Sequence, residues 1–146
     1  MSEATMPQAH PYQAYETTNV QTADQAHLII MLYDGAIRFL KKGRGKIYTG
    51  DVEGAHNYLV RSREIVSELL STLRPEKAGE IGANLKQIYV YVYKRIVEAN
   101  LMKDAAAVDE VIEIMSVLRE GWVAIKSKGK AATREDRATR HVDLQM

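Results

Sequence analysis

Residues 26–40, AHLIIMLYDGAIRFL, carry more apolar surface than a single buried helix face requires. With residues set about 100° apart around a helix, Ala26, Ile29, Tyr33, Ala36, Ile37 and Leu40 fall on one stripe. Leu28, Leu32, Gly35 and Phe39 form a second stripe beside it. His27, Asp34, Arg38 and Lys41 hold the remaining arc, with Met31 at its edge. A surface helix of a soluble domain shows an apolar arc a little over about 100° wide, and here the arc is roughly twice that. Such a chain must fold as a helix, and it must cover that helix on two sides. The core of a helical bundle covers one side. Another part of the chain, or another protein, must cover the second.

The rest of the sequence supplies the bundle. Residues 1–21 are polar and aperiodic, with Pro7 and Pro11 as helix breakers. They read either as a disordered tail or as an extended N-terminal cap segment that lies on the bundle, with Met6, Tyr12, Tyr15 and Val20 as its anchors. Thr22-Ala23-Asp24-Gln25 fits a capping box and opens a first helix over about 22–42, with Gly43 and Gly45 as its stop. A solvated, dipole-favoured helix end accounts for most of the five basic residues between Arg38 and Lys46, with a docking patch as the lesser alternative. Gly50-Asp51 opens a second helix over about 52–73, with one ordinary apolar stripe (Ala55, Tyr58, Leu59, Ile65, Val66, Leu69, Leu70, Leu73). Ile88 to Tyr93 is β-branched and aromatic throughout and reads locally as a strand. Leu85, Ile88, Tyr89, Val92, Ile96 and Ala99 nevertheless keep helical spacing with no turn residue between them, which predicts a third helix over about 83–101. Like the first, it has a second apolar flank: Val90, Tyr93, Val97 and Leu101. A fourth helix is predicted over about 105–127, with Val108, Val111, Ile112, Met115, Leu118, Trp122 and Ile125 inward. Residues 128–146 read as a polar flexible tail. Four helices of about 20 residues with short connections predict an all-α antiparallel four-helix bundle over 22–127.

Composition excludes several functions. The net charge is +1, so there is no broad electrostatic case for nucleic acid. Without cysteine there are no disulfides, thiol nucleophiles or thiolate metal sites. No apolar run reaches the roughly 18 residues needed for a membrane span, and the N-terminus lacks the features of a secretory signal. A soluble cytoplasmic protein is the expectation. Glu53-x-x-His56 and Asp24-x-x-His27 have the spacing of carboxylate–histidine metal ligands. They open neighbouring antiparallel helices at opposite ends, so at about 1.5 Å per residue the two histidines stand roughly 20 Å apart. They cannot share a metal, and neither a metal nor a cofactor is expected. A histidine phosphotransfer bundle using His27 or His56 is the alternative function, although neither histidine is closely followed by the lysine and glycine of that family. Nucleophile motifs and phosphate loops are missing, so no enzymatic activity is expected.

The doubled stripes point to binding. In an up-down-up-down bundle the first and third helices sit diagonally, so their second flanks line separate grooves. Leu28, Leu32 and Phe39 line one; Val90, Tyr93 and Val97 line the other. Such grooves suit amphipathic partner helices. The competing cover is the N-terminal segment over one groove and a homodimer contact over the other.

From Tyr12 to Trp122 the sequence resembles the flagellin export chaperone family, FliS. The resemblance rests on Tyr12 and Tyr15, Leu32-Tyr33-Asp34-Gly35-Ala36, Leu85-x-x-Ile88-Tyr89, Glu98-Ala99-Asn100, Glu110-Val111 and Leu118-Arg119-x-x-Trp122. Their order and spacing make the match specific. Gly121 departs from the alanine more usual there. The resemblance implies a cytoplasmic chaperone that binds the disordered C-terminal segment of flagellin, prevents premature polymerisation and delivers it to the flagellar type III export apparatus. It implies no ATP site, and it makes Tyr12 and Tyr15 a displaceable cover or a clamp on the client.

Overall fold

In a computed structural model the described residues are 11–145 for the backbone, and 25–74 and 79–129 for the side chains. They form four helices: α1 (Pro11–Tyr48), α2 (Val52–Ser71), α3 (Pro75–Met102) and α4 (Ala105–Gln145). Residues Ile29–Gly121 make one compact unit, the bundle. The described parts of Met1–Leu28 and Trp122–Met146 make a second. Among the described residues no helix is long and apolar enough to cross a membrane.

The pairing within the bundle is set by named contacts. Asp34 on α1 accepts from Arg119 on α4, and ten residues along α1, Arg44 pairs with Asp109, ten residues back on α4. The two helices are therefore antiparallel neighbours. Gly35 and Gly43 on α1 face Ile65 and Leu59 on α2, and Arg95 on α3 pairs with Glu110 on α4. Hence α1 and α3 are diagonal. They meet in the core, where the buried hydroxyls of Tyr33 and Tyr89 lie 2.5 Å apart.

The core follows the helical periods. Ile29, Tyr33, Ala36 and Leu40 of α1 are buried with Leu59, Val66 and Leu69 of α2, Tyr89, Val92 and Ile96 of α3, and Val108, Val111 and Met115 of α4. The strand-like run Ile88–Tyr93 is helical, because packing of Tyr89, Val92 and Ile96 outweighs local β-propensity. Ile30 joins the core, Ile37 is only half-buried, and Ile125, expected inward, is exposed in the second unit. Ser62 is the buried polar residue of α2, its hydroxyl donating to the Leu59 carbonyl.

Four boundaries differ from the sequence reading. First, α1 begins at Pro11 rather than near Thr22. Proline is tolerated in the first turn of a helix, where its missing N–H is no loss, and no proline follows within α1. The backbone at 11–21 is thus helical rather than extended, while residues 1–10 lie outside the described residues. Second, α1 continues through Gly43 and Gly45 to Tyr48. Gly43 is a packing residue and not a stop: a Cβ there would sit 3.0 Å from Leu59 Cδ2. Third, α3 begins at Pro75, with a break at Gly79, whose φ of 58° suits glycine. Fourth, α4 runs on to Gln145. Residues 130–145 contain no proline or glycine and include three alanines and three arginines, which favour helix without an apolar period.

The α1–α2 turn is built on Gly50 at φ 78° and on Asp51, which caps α2 by accepting from the Gly54 N–H at 2.9 Å. That hydrogen bond, with Lys46 beside it, holds the Asp51 carboxyl below the ordinary aspartate value of 3.8. A depressed folded-state value means the contribution is present above the ordinary value and lost as pH falls through the folded one. Asp51→Ala is therefore expected to lower the melting temperature at neutral pH, with the gap to the parent protein closing as acid protonates the Asp51 carboxyl, below the ordinary aspartate value. Melts followed by circular dichroism across pH check this.

Candidate functional site

Among the described residues, every ion pair that joins two helices has α4 as one member: Arg44–Asp109, Asp34–Arg119 and Arg95–Glu110. Tyr91 of α3 also donates to Glu110, which holds the tyrosine hydroxyl's pKa up and, together with Arg95, holds the glutamate's down. Both seams of α4 are thus closed by charge.

The seams on either side of α2 are different in kind, and they are where the two extra apolar stripes lie. In the α1–α2 seam the glycines let the helices approach closely. Between them Phe39 stacks on Tyr58 with ring centroids 6.0 Å apart and an interplanar angle of 25°. Phe39 and Leu32 are half-buried, so each keeps a face toward solvent. In the α2–α3 seam Tyr93 lies under Arg63, whose guanidinium carbon is 5.8 Å from the ring centroid. His56 and Asn100 hydrogen-bond across the same seam at 2.9 Å. Val90 and Tyr93 are half-buried, Val97 is 38% exposed and Leu101 80% exposed. Leu28, 59% exposed, belongs to the second unit. The side chains of Tyr12 and Tyr15 lie outside the described residues.

The sequence reading missed what surrounds Phe39. Apolar spacing puts Tyr58 on the core stripe of α2, and charge alone makes the basic run Arg38–Lys46 chiefly a solvated helix end. The helix does not end there. Arg44 and Lys46 pair with Asp109 and Asp51, whereas Arg38 and Lys42 stand beside the aromatic pair. Arg38 lies 5.2 Å from the Phe39 centroid and Lys42 5.8 Å from that of Tyr58, with Arg61 of α2 within 6.0 Å of both. The signal available was the i, i+3 spacing of Tyr58 and Arg61, which puts a cation and an aromatic ring on one helix face.

The two histidines do not meet. His56 faces Asn100; His27, in the second unit, accepts from the Lys126 ammonium at 3.0 Å. Among the described residues no group of three or more histidines and carboxylates is placed to hold a metal.

A family model described as "Flagellar protein FliS" matches residues 8–129. The chain belongs to the FliS family. It is similar to the flagellar secretion chaperone FliS of Bacillus subtilis, with 31% identity over 132 residues covering 90% of this chain and 92% of the relative. It is also 37% identical to that of Salmonella typhimurium over 110 residues (75% and 82%), and 32% identical to that of Campylobacter jejuni over 111 residues (76% and 87%). The FliS match takes in all four helices of the bundle and both stripes that flank α2, and it displaces the histidine phosphotransfer alternative.

Proposed function

We propose that this protein is a cytosolic flagellar type III export chaperone. It binds the disordered C-terminal segment of flagellin in the seams flanking α2, keeps it from premature polymerisation and delivers it to the export apparatus. The observation that carries this reading is the pair of half-open apolar stripes, Leu32 with Phe39 and Val90 with Tyr93 and Val97, set on opposite sides of one helix. A single rigid partner meets one face. A flexible segment can cross α2 and enter both seams, folding its own apolar faces into helices as it does so. Part of the binding free energy goes into that ordering. Leu28 would be a further client contact, and Tyr12 and Tyr15 would act as the displaceable cover or as a clamp.

Calorimetric titration with the C-terminal segment of the same organism's flagellin, followed in parallel by circular dichroism, tests the proposal. The expected result is saturable one-to-one binding with helix content above the sum of the parts. Absence of binding at tens of micromolar, about −6 to −7 kcal/mol, would overturn it.

A further inference from the structure

Arg38, Lys42 and Arg61 are three cations gathered on one aromatic pair, and none has an ion-pair partner among the described residues. A groove that bound only apolar side chains would need Phe39 and Tyr58 and would gain nothing from three positive charges beside them. Like charges this close repel one another, whereas at the seams of α4 each arginine that reaches across to another helix has a carboxylate partner.

The geometry also fixes how the charges are presented. A guanidinium held against a ring face keeps its N–H edge directed away from the ring, and the stacking removes much of its rotamer freedom before any partner arrives. Arg38 of α1 and Arg61 of α2 stand 5.2 and 5.6 Å from the Phe39 centroid, so a side chain seated on that ring lies near two guanidinium groups. A carboxylate that arrives beside an apolar side chain meets charge-assisted hydrogen bonds there, in surroundings partly dried by that same side chain.

We infer that the α1–α2 seam is an acidic-residue reader: the cluster Arg38, Lys42 and Arg61 selects client segments that carry a carboxylate beside the apolar residue seated on Phe39 and Tyr58. The occupant is an amphipathic helix with an acidic flank. This rests on the chaperone function proposed above and adds a rule for which stretch of the client enters this seam rather than the one between α2 and α3, where Arg63 over Tyr93 is the lone cation–ring contact among the described residues.

The test uses the full chain and a fluorescently labelled flagellin C-terminal segment, with affinity read by anisotropy at low and moderate salt. The double variant R38Q/R61Q is expected to bind about tenfold more weakly or worse at low salt, and with a flatter salt dependence. Arg38 and Arg61 are both exposed, so the circular dichroism spectrum and urea midpoint should not move. Replacing the segment's Asp and Glu by Asn and Gln should cause a similar loss, and combining both changes should cost less than their sum, as groups in direct contact do. Unchanged or strictly additive affinities, with the parent protein still binding, would overturn the reader and leave the chaperone function standing. Polyglutamate of matched charge displacing the segment equally well would also overturn it, by making the cluster a general anion patch. If the parent protein does not bind the segment at all, the proposed function and this inference fall together.

Discussion

Tyr89→Ala is expected to lower the free energy of unfolding by about 3–5 kcal/mol, as large aromatic truncations in a packed core do. Stabilities of single domains are about 5–15 kcal/mol, so this one change is expected to bring the bundle close to unfolding. Tyr89 is 1% exposed and Tyr33 is fully buried. Their rings lie 6.3 Å apart at 54°, and together they fill the diagonal of the bundle between helices that share no surface seam. Alanine would open a cavity on that diagonal, and the surrounding helices can only partly collapse into it. The conservative variant separates volume from polarity. Tyr89→Phe keeps the packing and loses the hydroxyl pair, and it should cost only about 0.5–1.5 kcal/mol. Urea denaturation of both variants, with slopes compared to confirm a common unfolded state, reads the difference.

Leu32→Glu should do the opposite: weaken flagellin-segment binding by about a hundredfold or more while shifting stability by less than about 1 kcal/mol. Leu32 is half-buried on the α1 face that carries Gly35 and Phe39, so a glutamate there can turn its carboxylate to water in the free protein. Once a client helix covers the seam, that escape closes and the charge must be desolvated against apolar side chains. The cost therefore falls on the complex and not on the fold. Val117→Glu, on an exposed position of α4, is the matched control and should bind as the parent does. Loss of folding by Leu32→Glu would place Leu32 in the core and move the groove by one stripe.

The sequence determined by itself that the chain is a four-helix bundle and most of the side chains that fill it, Ile30, Ile37 and Ile125 excepted. Apolar spacing is a property of one helix at a time, and Tyr33, Tyr89, Val66 and Met115 are buried because their own stripes demand it. It also showed that the first and third helices carry apolar surface in excess. Motifs from Tyr12 to Trp122 were enough to suggest the family to which the chain belongs.

Helix ends were a different matter. Proline at the first turn and glycine at a helix crossing look, in sequence, like a breaker and a stop. Gly43 lies inside the helix as a packing residue, because Leu59 of another helix occupies the space a side chain there would fill. The polar residues after Lys126 show no apolar period, and local propensity alone marks them as helix-compatible.

What only the tertiary structure decided is which seam each spare stripe faces and what stands beside it. Both stripes border α2, because carboxylates on α1 and α4 close the seams of α4 through contacts between residues far apart in the chain. Arg61 meets Phe39 across 22 positions of sequence. A pattern read along one helix contains no term for its neighbour, so the cationic setting of the groove appears only when α1 and α2 pack together.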